Sequence, residues 1–432
     1  MAIASFNPVS FSAHFSVLQR VKCSVQPQAE NWSLYPAPWN PLKISKRVFP
    51  GCFKMRLKAA ELVPPPIDND LHAILSDMGA TISGDGTVQT FGNDVESLEA
   101  AESSVAVVEM SHFGRLRVTG EDRIRFLHNQ STADFQSEKE GQGCDTVFVT
   151  PTGRTVDLVT AWIMKSSVIL FVSPTMRHTL QALLNKYIFF ADKVEVEDIT
   201  DKTHFFSLIG PHSHRVLDKL NLGAIKDQPY GTHMHYAVEG TPVTVGVGGG
   251  LAGPGYSFML STDTAGLVWE AIVDAGAVPM GSVAWEHLRV WQGRPVPGKE
   301  LTDEFNALEA GLWKTISLTK GCYIGQETIA RLITYDNVKQ QLWGVHLDGP
   351  VQPNTVLYKE GVKVGKLTSC VEAKEGSQHK YTGLAYIRRQ AGGAGLKVEI
   401  EEGISGVVVD VPFLTRSLPH HENNTSTNIM ST

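Results

Sequence analysis

The chain has 432 residues, of which 42% are hydrophobic and 19% are charged, and this length suits two or three globular domains. Its formal net charge of −7 argues against general nucleic-acid binding, which requires a basic face for the phosphates. No apolar run reaches the roughly eighteen residues of a membrane-spanning helix, so the sequence predicts no membrane span.

Residues 1–58 differ in composition from the rest of the chain. They contain eight Lys or Arg side chains and seven serines but a single acidic residue, Glu30. A basic, serine-rich segment without a compact apolar core is typical of an organellar transit peptide rather than of a secretory signal. The Met1-Ala2 start and the early serines favour a chloroplast, with a mitochondrion as the alternative. Removing the segment changes the formal net charge from −7 to −14, because eight cations and one anion leave with it.

Residues 59–103 are predicted to form a leader, in which a short helix over residues 69–78 follows Pro64-Pro65-Pro66 and stops at Gly79. From residue 104 strands and helices alternate, which predicts a first α+β domain over residues 104–203. Its predicted elements are strands 105–109 and 115–118, a helix over 122–128, a hairpin of strands 146–150 and 155–162, and a helix after Ser173-Pro174.

A second α+β domain is predicted over residues 204–334, with a strand at 205–209 and helices around 213–220 and 266–275. Residues 335–415 contain six short alternating segments separated by glycine turns, which predicts a small antiparallel β-barrel. The predicted barrel strands are 342–347, 356–358, 362–368, 382–387, 397–400 and 406–409. Residues 416–432 are rich in Ser, Asn and Thr and are predicted to be a disordered tail.

Two further patterns are interpreted as structural. Residues 248–253 fit the letters of a GxGxxG nucleotide-binding fingerprint, but a predicted strand at 256–260 follows where the fingerprint requires a helix, so the pattern predicts a flexible turn. Outside the predicted transit peptide the chain has three cysteines, Cys144, Cys322 and Cys370. They are too widely spaced for a CxxC metal site, and an odd number of cysteines does not give a framework of paired disulfides. We therefore predict no metal site and a reducing compartment.

The octapeptide Lys320-Gly321-Cys322-Tyr323-Ile324-Gly325-Gln326-Glu327 places a thiol between a cation and a predicted helix start. A thiolate is stabilised by a nearby cation or by the N-terminus of a helix. The helix is predicted to begin around Gly325 and to run through Leu332. From these residues alone, Cys322 is either a reactive thiol supported by Lys320 or a structural cysteine in a tight turn.

The octapeptide resembles the signature K-G-C-[FY]-x-G-Q-E of the YgfZ-type, folate-dependent iron–sulfur cluster assembly factors, a branch of the family that also contains the glycine cleavage T-protein, an aminomethyltransferase. Segments 120–130, 208–211, 288–300 and 306–312 resemble other parts of that family in the same order and spacing. One departure is Ala307, where the family usually has proline.

The resemblance implies an α+β fold of the T-protein type, in which two α+β domains and a small C-terminal antiparallel β-barrel form a three-domain ring around a channel that binds a tetrahydrofolate. Arg289, Lys320 and Arg331 are candidates for contacts with the polyglutamyl tail of a folate. Glu309 and Gln326 are candidates for the pterin or for stabilising the loop. For each of these residues the alternative is an ordinary ion pair or a helix-capping contact.

T-proteins use a pair of acids after a glycine turn and a Glu in a later T-G-E-x-G-[FY] segment. Here the first position has a single acid, Asp157, and the second has Pro254. Asp157 is either a candidate catalytic acid or a carboxylate at a strand edge.

The hypothesis favoured by the resemblance is a folate-dependent organellar factor that assembles or repairs iron–sulfur clusters on client or assembly proteins, with Cys322 as its thiolate. The alternatives are a tetrahydrofolate-dependent one-carbon transferase that uses Asp157 and a folate-binding scaffold without catalysis. The resemblance alone does not decide whether the protein is an enzyme.

Overall fold

A computed structural model describes residues 69–238, 240–400 and 403–417. The predicted transit peptide and residues 418–432 of the predicted tail lie outside the described residues. The helices are α1 Asn69–Asp77, α2 Asp94–Ser103, α3 Arg123–Gln130, α4 Arg177–Lys186, α5 Ser213–Lys219, α6 Ala265–Asp274, α7 Ser282–Gln292 and α8 Gln326–Thr334. In the described part of the chain, no helix combines the length and the apolarity needed to cross a membrane.

The strands fall into three main sheets and one short hairpin. In chain order they are β1 Thr81–Ile82, β2 Val88–Thr90, β3 Ala106–Glu109, β4 Gly114–Thr119, β5 Gly143–Val149, β6 Thr155–Ile163, β7 Ser167–Val172, β8 Glu195–Asp198, β9 Thr203–Ile209, β10 His233–Val238, β11 Thr241–Val247, β12 Gly255–Ser261, β13 Val278–Met280, β14 Gln340–Leu347, β15 Val356–Lys359, β16 Val362–Glu372, β17 Tyr381–Arg388, β18 Lys397–Glu399 and β19 Ser405–Val409.

The first large sheet is antiparallel, with the strand order β5-β6-β7-β4-β8. Strand β7 lies in its middle and is buried along its whole length, which explains its unbroken apolar sequence. Its side chains alternate between two apolar clusters: Leu170 faces the cluster that contains helices α3 and α4, whereas Phe171 faces the opposite side. Sequence analysis did not assign this strand, because an unbroken apolar run lacks the alternation of a half-buried strand.

The second large sheet has the strand order β10-β11-β12-β9-β3-β13, with β3 and β13 parallel and the other pairs antiparallel. Phe206 and Leu208 of β9 pack with apolar residues of helices α1, α5 and α6 on one face. Phe205 and Ile209 face the other side and join the cluster that contains Phe171. The two large sheets therefore face each other across a shared apolar layer.

Strand β3 lies in the sheet of the second predicted domain, although the predicted boundary at residue 104 assigned it to the first. It pairs with β9 on one side and with β13 on the other. The reason is long-range: the partners of β3 lie about a hundred residues or more away in sequence, and local patterns carry no information on which sheet a strand joins.

The six C-terminal strands form a closed barrel with the order β14-β17-β16-β15-β18-β19, and β14 pairs with β19 to close it. This confirms the predicted small antiparallel barrel, whose interior contains Val345, Leu357, Ile387 and Val408. Between α7 and α8 the chain is mostly irregular. Apolar residues of this segment, such as Leu308 and Leu312, pack between the first sheet and the barrel.

Candidate functional site

A pocket opens between the two large sheets. Its walls carry flat aromatic side chains from both sheets, from the loops beside them and from α7: Phe113, Trp162, Phe171, Phe205, Tyr230 and Trp285. Phe171 and Phe205 stack across the interface with ring centroids 4.5 Å apart. The turn at Gly248, Gly249 and Gly250 forms another part of the wall, so the GxGxxG-like pattern is a pocket turn followed by strand β12, as predicted.

Arg294 brings a cation into this mainly aromatic pocket. It is 9% exposed, and its Nε donates a 2.7 Å hydrogen bond to the carbonyl of Gly250. Its guanidinium carbon lies 5.7 Å from the ring centroid of Phe413. No described residue accepts a hydrogen bond from its two Nη atoms, although the charges of Asp145 and Asp157 act on the guanidinium. The pocket wall therefore carries two guanidinium nitrogens that are available to an acceptor group on a ligand.

Asp145, at the start of β5, is held by two residues of the pocket wall. Thr160 Oγ donates to it at 2.6 Å, and the hydroxyl of Tyr230 lies 2.9 Å from both carboxylate oxygens. Burial raises the pKa of Asp145, whereas these hydrogen bonds and the charge of Arg294 lower it. Sequence analysis missed Asp145 and Tyr230. Arg294 lies within the family-like segment 288–300, but it was not chosen as a candidate site residue because its burial cannot be read from the sequence.

Asp157 is fully buried in β6, where it pairs with Phe148 of β5; the pairing of β6 with β7 begins at Thr160. Its two oxygens accept hydrogen bonds from the backbone N–H of Ser173 at 2.8 Å and from the Ser173 hydroxyl at 2.7 Å. Burial raises the pKa of Asp157 to about 6, although the bonds from Ser173 and the charge of Arg294 oppose the shift. Asp157 is not among the residues that line the pocket.

Lys320 is buried, and its ammonium is directed at the end of helix α3. Its Nζ donates to the carbonyls of His128, Ser131 and Ala133, the last two at 2.7 Å. Burial lowers the pKa of Lys320 to about 8. These three bonds occupy all the protons of an ammonium group. The observed role of Lys320 is therefore to anchor the octapeptide to the first sheet's helix, which differs from the predicted support of the Cys322 thiolate.

Cys322 is exposed, whereas Cys144 and Cys370 are half-buried and burial raises the pKa of both thiols. The segment around Cys322 is fixed by neighbouring bonds. Ile324 N–H donates to the carbonyl of Asn129 at 3.1 Å, and Tyr323 N–H donates to Oε1 of Gln326 at 3.2 Å. Helix α8 begins at Gln326, as predicted, so that Gln326 braces the loop. The octapeptide thus presents one exposed thiol on a well-tethered turn.

The other predicted folate contacts have partners within the protein. Arg289 is 1% exposed and binds Glu286, Glu300 and Ser369, which ties α7 to the barrel. Glu309 is buried and accepts the N–H of Asn306 at 3.2 Å, and burial raises its pKa. Arg331 is exposed and forms a 2.5 Å ion pair with Glu327 one turn earlier. None of these three residues is among those that line the aromatic pocket.

Comparisons with known proteins agree with this architecture. Residues 87–320 match the model of the GCVT N-terminal domain. A chloroplastic protein of Arabidopsis thaliana, provisionally named a transferase, is 54% identical over 363 residues, which cover 84% of either chain. The aminomethyltransferase of Geobacillus kaustophilus is 26% identical over 76% of this chain and 92% of its own.

Among solved structures, the fold is similar to that of the glycine cleavage system aminomethyltransferase T from Bartonella henselae. The TM-score is 0.71 at 17% identity, and the match covers 81% of this chain and 98% of the other. At that identity the likeness concerns the fold, and it agrees with the predicted T-protein type with its C-terminal barrel. By its family match and its chloroplastic relative, this chain belongs to the GCVT family, that of the glycine cleavage aminomethyltransferases.

Proposed function

We propose that this chain binds a reduced folate in the aromatic pocket between its two large sheets. The observation that carries the proposal is Arg294, a buried guanidinium whose Nη donors face a pocket and have no described acceptor. The charges of Asp145 and Asp157 compensate Arg294 within the protein, while its Nη donors remain available to an acceptor on a ligand.

The rest of the pocket suits a pterin. A flat heteroaromatic ring stacks favourably on aromatic side chains, and the lining residues Phe113 and Tyr230 are not fully buried. The polar edge of a pterin requires hydrogen-bonding groups, and the pocket wall offers Tyr230 and Thr160, both of which are bonded to Asp145 behind them. A bound tetrahydrofolate would supply nitrogen atoms that carry one-carbon groups; Arg294 and Tyr230 would orient its ring.

We further propose that the protein acts in a chloroplast, where it assists the assembly or repair of iron–sulfur clusters on client or assembly proteins, with Cys322 as its thiolate. The basic N-terminal composition and the chloroplastic relative support the location. The octapeptide signature and the exposure of Cys322 support the use of its thiol. The replacement of the second T-protein acid by Pro254 favours this role over aminomethyl transfer.

A one-carbon transferase is the second candidate, because the pKa of Asp157, about 6, suits a general acid or base near neutral pH. Two observations weigh against it: both oxygens of Asp157 are bonded to Ser173, and Asp157 does not line the pocket. This candidate predicts a chemically altered folate after turnover and a strong loss of rate in Asp157→Asn. A folate-binding scaffold without catalysis predicts neither.

Equilibrium titration of the full chain with tetrahydrofolate tests the binding proposal. We expect saturable binding, and in Arg294→Gln a loss of affinity of about tenfold or more, since a hydrogen bond to a charged group contributes about 1.5–3 kcal/mol. Arg331→Gln is the matched control, because it removes an arginine that is exposed and paired within its own helix. If the wild-type chain does not bind, or if both variants bind equally well, the pocket assignment is wrong.

Complementation tests the iron–sulfur role. The full chain is expected to restore cluster-enzyme activity in a strain that lacks such a factor. Cys322→Ala is expected to abolish the rescue, whereas Cys370→Ala, at a half-buried cysteine in the barrel, is expected to retain it. Full rescue by Cys322→Ala would eliminate the thiolate while leaving folate binding untouched.

A further inference from the structure

We infer that Asp145 fixes the direction of hydroxyl groups in the aromatic pocket, and that the pocket thereby selects a 4-oxopteridine ring over a 4-aminopteridine ring. This inference rests on the proposed function, since it concerns the reduced folate proposed to bind there. Asp145 is not among the residues that line the pocket. It acts through two that are, Thr160 and Tyr230, and is therefore a positioning residue.

Three hydroxyl groups belong to the pocket lining, those of Thr160, Tyr230 and Ser257. A hydroxyl has one proton to donate and two lone pairs that accept. Asp145 takes two of the three protons: Thr160 Oγ donates to its Oδ1 at 2.6 Å, and the Tyr230 hydroxyl lies 2.9 Å from both oxygens. The Ser257 hydroxyl donates to the carbonyl of Gly248 at 2.7 Å. All three hydroxyls therefore have only lone pairs left for a ligand.

The charge of Asp145 decides where the protons of Thr160 and Tyr230 lie. An ionised carboxylate accepts hydrogen bonds and has no proton of its own, so both hydroxyls have to donate to it. Burial raises the pKa of Asp145, but the bonds from these two hydroxyls and the charge of Arg294 oppose that rise and favour the ionised form. The carboxylate thus directs two lining hydroxyls away from the ligand.

Arg294 gives the same pocket a group of opposite character. A guanidinium donates and cannot accept, and no described residue accepts a hydrogen bond from its two Nη atoms. Arg294 and Tyr230 both contact the glycine turn of the wall. Nε of Arg294 donates to the carbonyl of Gly250, and a Cβ added at Gly248 would lie 2.4 Å from the ring of Tyr230. One turn therefore supports both a donor and an acceptor for a ligand.

The polar edge of a 4-oxopteridine carries the complementary pattern. Its oxo group accepts, whereas the neighbouring ring N–H and the 2-amino group donate. The oxo group suits the donors of Arg294, and the two nitrogen donors suit the lone pairs of the Tyr230 and Thr160 hydroxyls. In a 4-aminopteridine a donor replaces the oxo group and the neighbouring ring nitrogen has no proton. Donor then faces donor and lone pair faces lone pair, so the pocket disfavours that ring.

Equilibrium titration of the full chain with tetrahydrofolate and with its 4-amino analogue tests the inference. The quantity measured is the ratio of the two dissociation constants, because a loss of folded protein does not change that ratio. Four proteins are compared: wild type, Asp145→Asn, Tyr230→Phe and the control Asp198→Asn. Asp198 also accepts a threonine hydroxyl at 2.6 Å, from Thr200, but neither Asp198 nor its partners line the pocket.

We expect the wild type to prefer tetrahydrofolate by about tenfold or more, because the analogue replaces an acceptor with a donor opposite a guanidinium. Asp145→Asn should reduce this preference about threefold or more, since its amide offers a donor in place of one acceptor oxygen and releases a hydroxyl proton toward the ligand. Tyr230→Phe should also reduce it, because it removes an oxygen that attracts one ring and repels the other. Asp198→Asn should leave the ratio unchanged.

The possible failures differ. If the wild type binds neither ligand, the proposed folate function fails and the inference with it. If the wild type binds both ligands equally well, the inference is overturned while folate binding stands. The inference is also overturned if Asp145→Asn and Tyr230→Phe both retain the full wild-type preference, because other groups then select the ring. Urea midpoints identify any unfolded variant; Tyr230→Phe, at an exposed side chain, decides the question if Asp145→Asn does not fold.

Discussion

Replacing Asp157 with asparagine removes a fully buried carboxylate while retaining its shape, and we expect this change to stabilise the protein at neutral pH. Burial raises the pKa of Asp157 from 3.8 to about 6 in the folded state. A carboxyl that holds its proton more tightly when folded contributes stability that is full below pH 3.8 and is lost as the pH rises through about 6. The shift of roughly two units corresponds to about 3 kcal/mol.

The asparagine retains an oxygen that can accept the N–H or the hydroxyl of Ser173, but it no longer attracts the buried guanidinium of Arg294. The pKa of about 6 already includes that attraction, so we expect Asp157→Asn to gain about 1–3 kcal/mol at pH 7 and close to nothing at about pH 4, where both side chains are neutral in the folded protein.

Urea denaturation between about pH 4 and 7 measures this difference, with Asp303→Asn as a control at an exposed position. The gain should grow with pH for Asp157→Asn and remain flat for Asp303→Asn. If Asp157→Asn is less stable than wild type at pH 7, the carboxylate is stabilised as an anion by Ser173 and Arg294, and the reasoning from burial is refuted.

Three further substitutions are predicted to change stability, each followed by urea denaturation. Lys320→Met should cost about 2–4 kcal/mol, because it leaves three carbonyls at the end of α3 without their donor. Gly325→Ala should cost about 1–3 kcal/mol, since φ is +81° and a Cβ would lie 2.6 Å from the carbonyl of Thr150; an unchanged midpoint would show that the turn can shift. Tyr386→Phe should cost about 1 kcal/mol through its lost 2.8 Å bond to the carbonyl of Glu300, and a neutral result would mean that water replaces it.

Much of the fold was predictable from local patterns. The six barrel strands alternate in hydrophobicity between glycine turns, and each was located to within a few residues of its observed ends. Helix α8 was predicted because Gly325 precedes a run of helix-forming residues, and the observed left-handed φ of Gly325 matches that boundary. The T-protein type of fold was predicted from the order of the segments that resemble the family.

The candidate site was predictable only in part. The octapeptide was located from the sequence, and the structure places its cysteine at an exposed position; the change of chemistry implied by Pro254 stays a prediction. The partners of Arg289 and Lys320 were not predictable, because a charged side chain in a sequence looks the same whether it faces a ligand or pairs within the core. Both side chains turned out to be buried and bonded inside the protein.

The sequence by itself determined the family, the closed barrel and the thiol that is most worth testing, since each of these depends on residues that are neighbours in the chain. Only the tertiary structure decided that β3 joins the second sheet and that Tyr230, which is bonded to Asp145, lines the same pocket as Arg294. It also placed His128 beside Gly321, 193 positions further along the chain. These long-range contacts depend on how separate sheets pack, and neither the hydrophobic periodicity nor the spacing of residues predicts that packing.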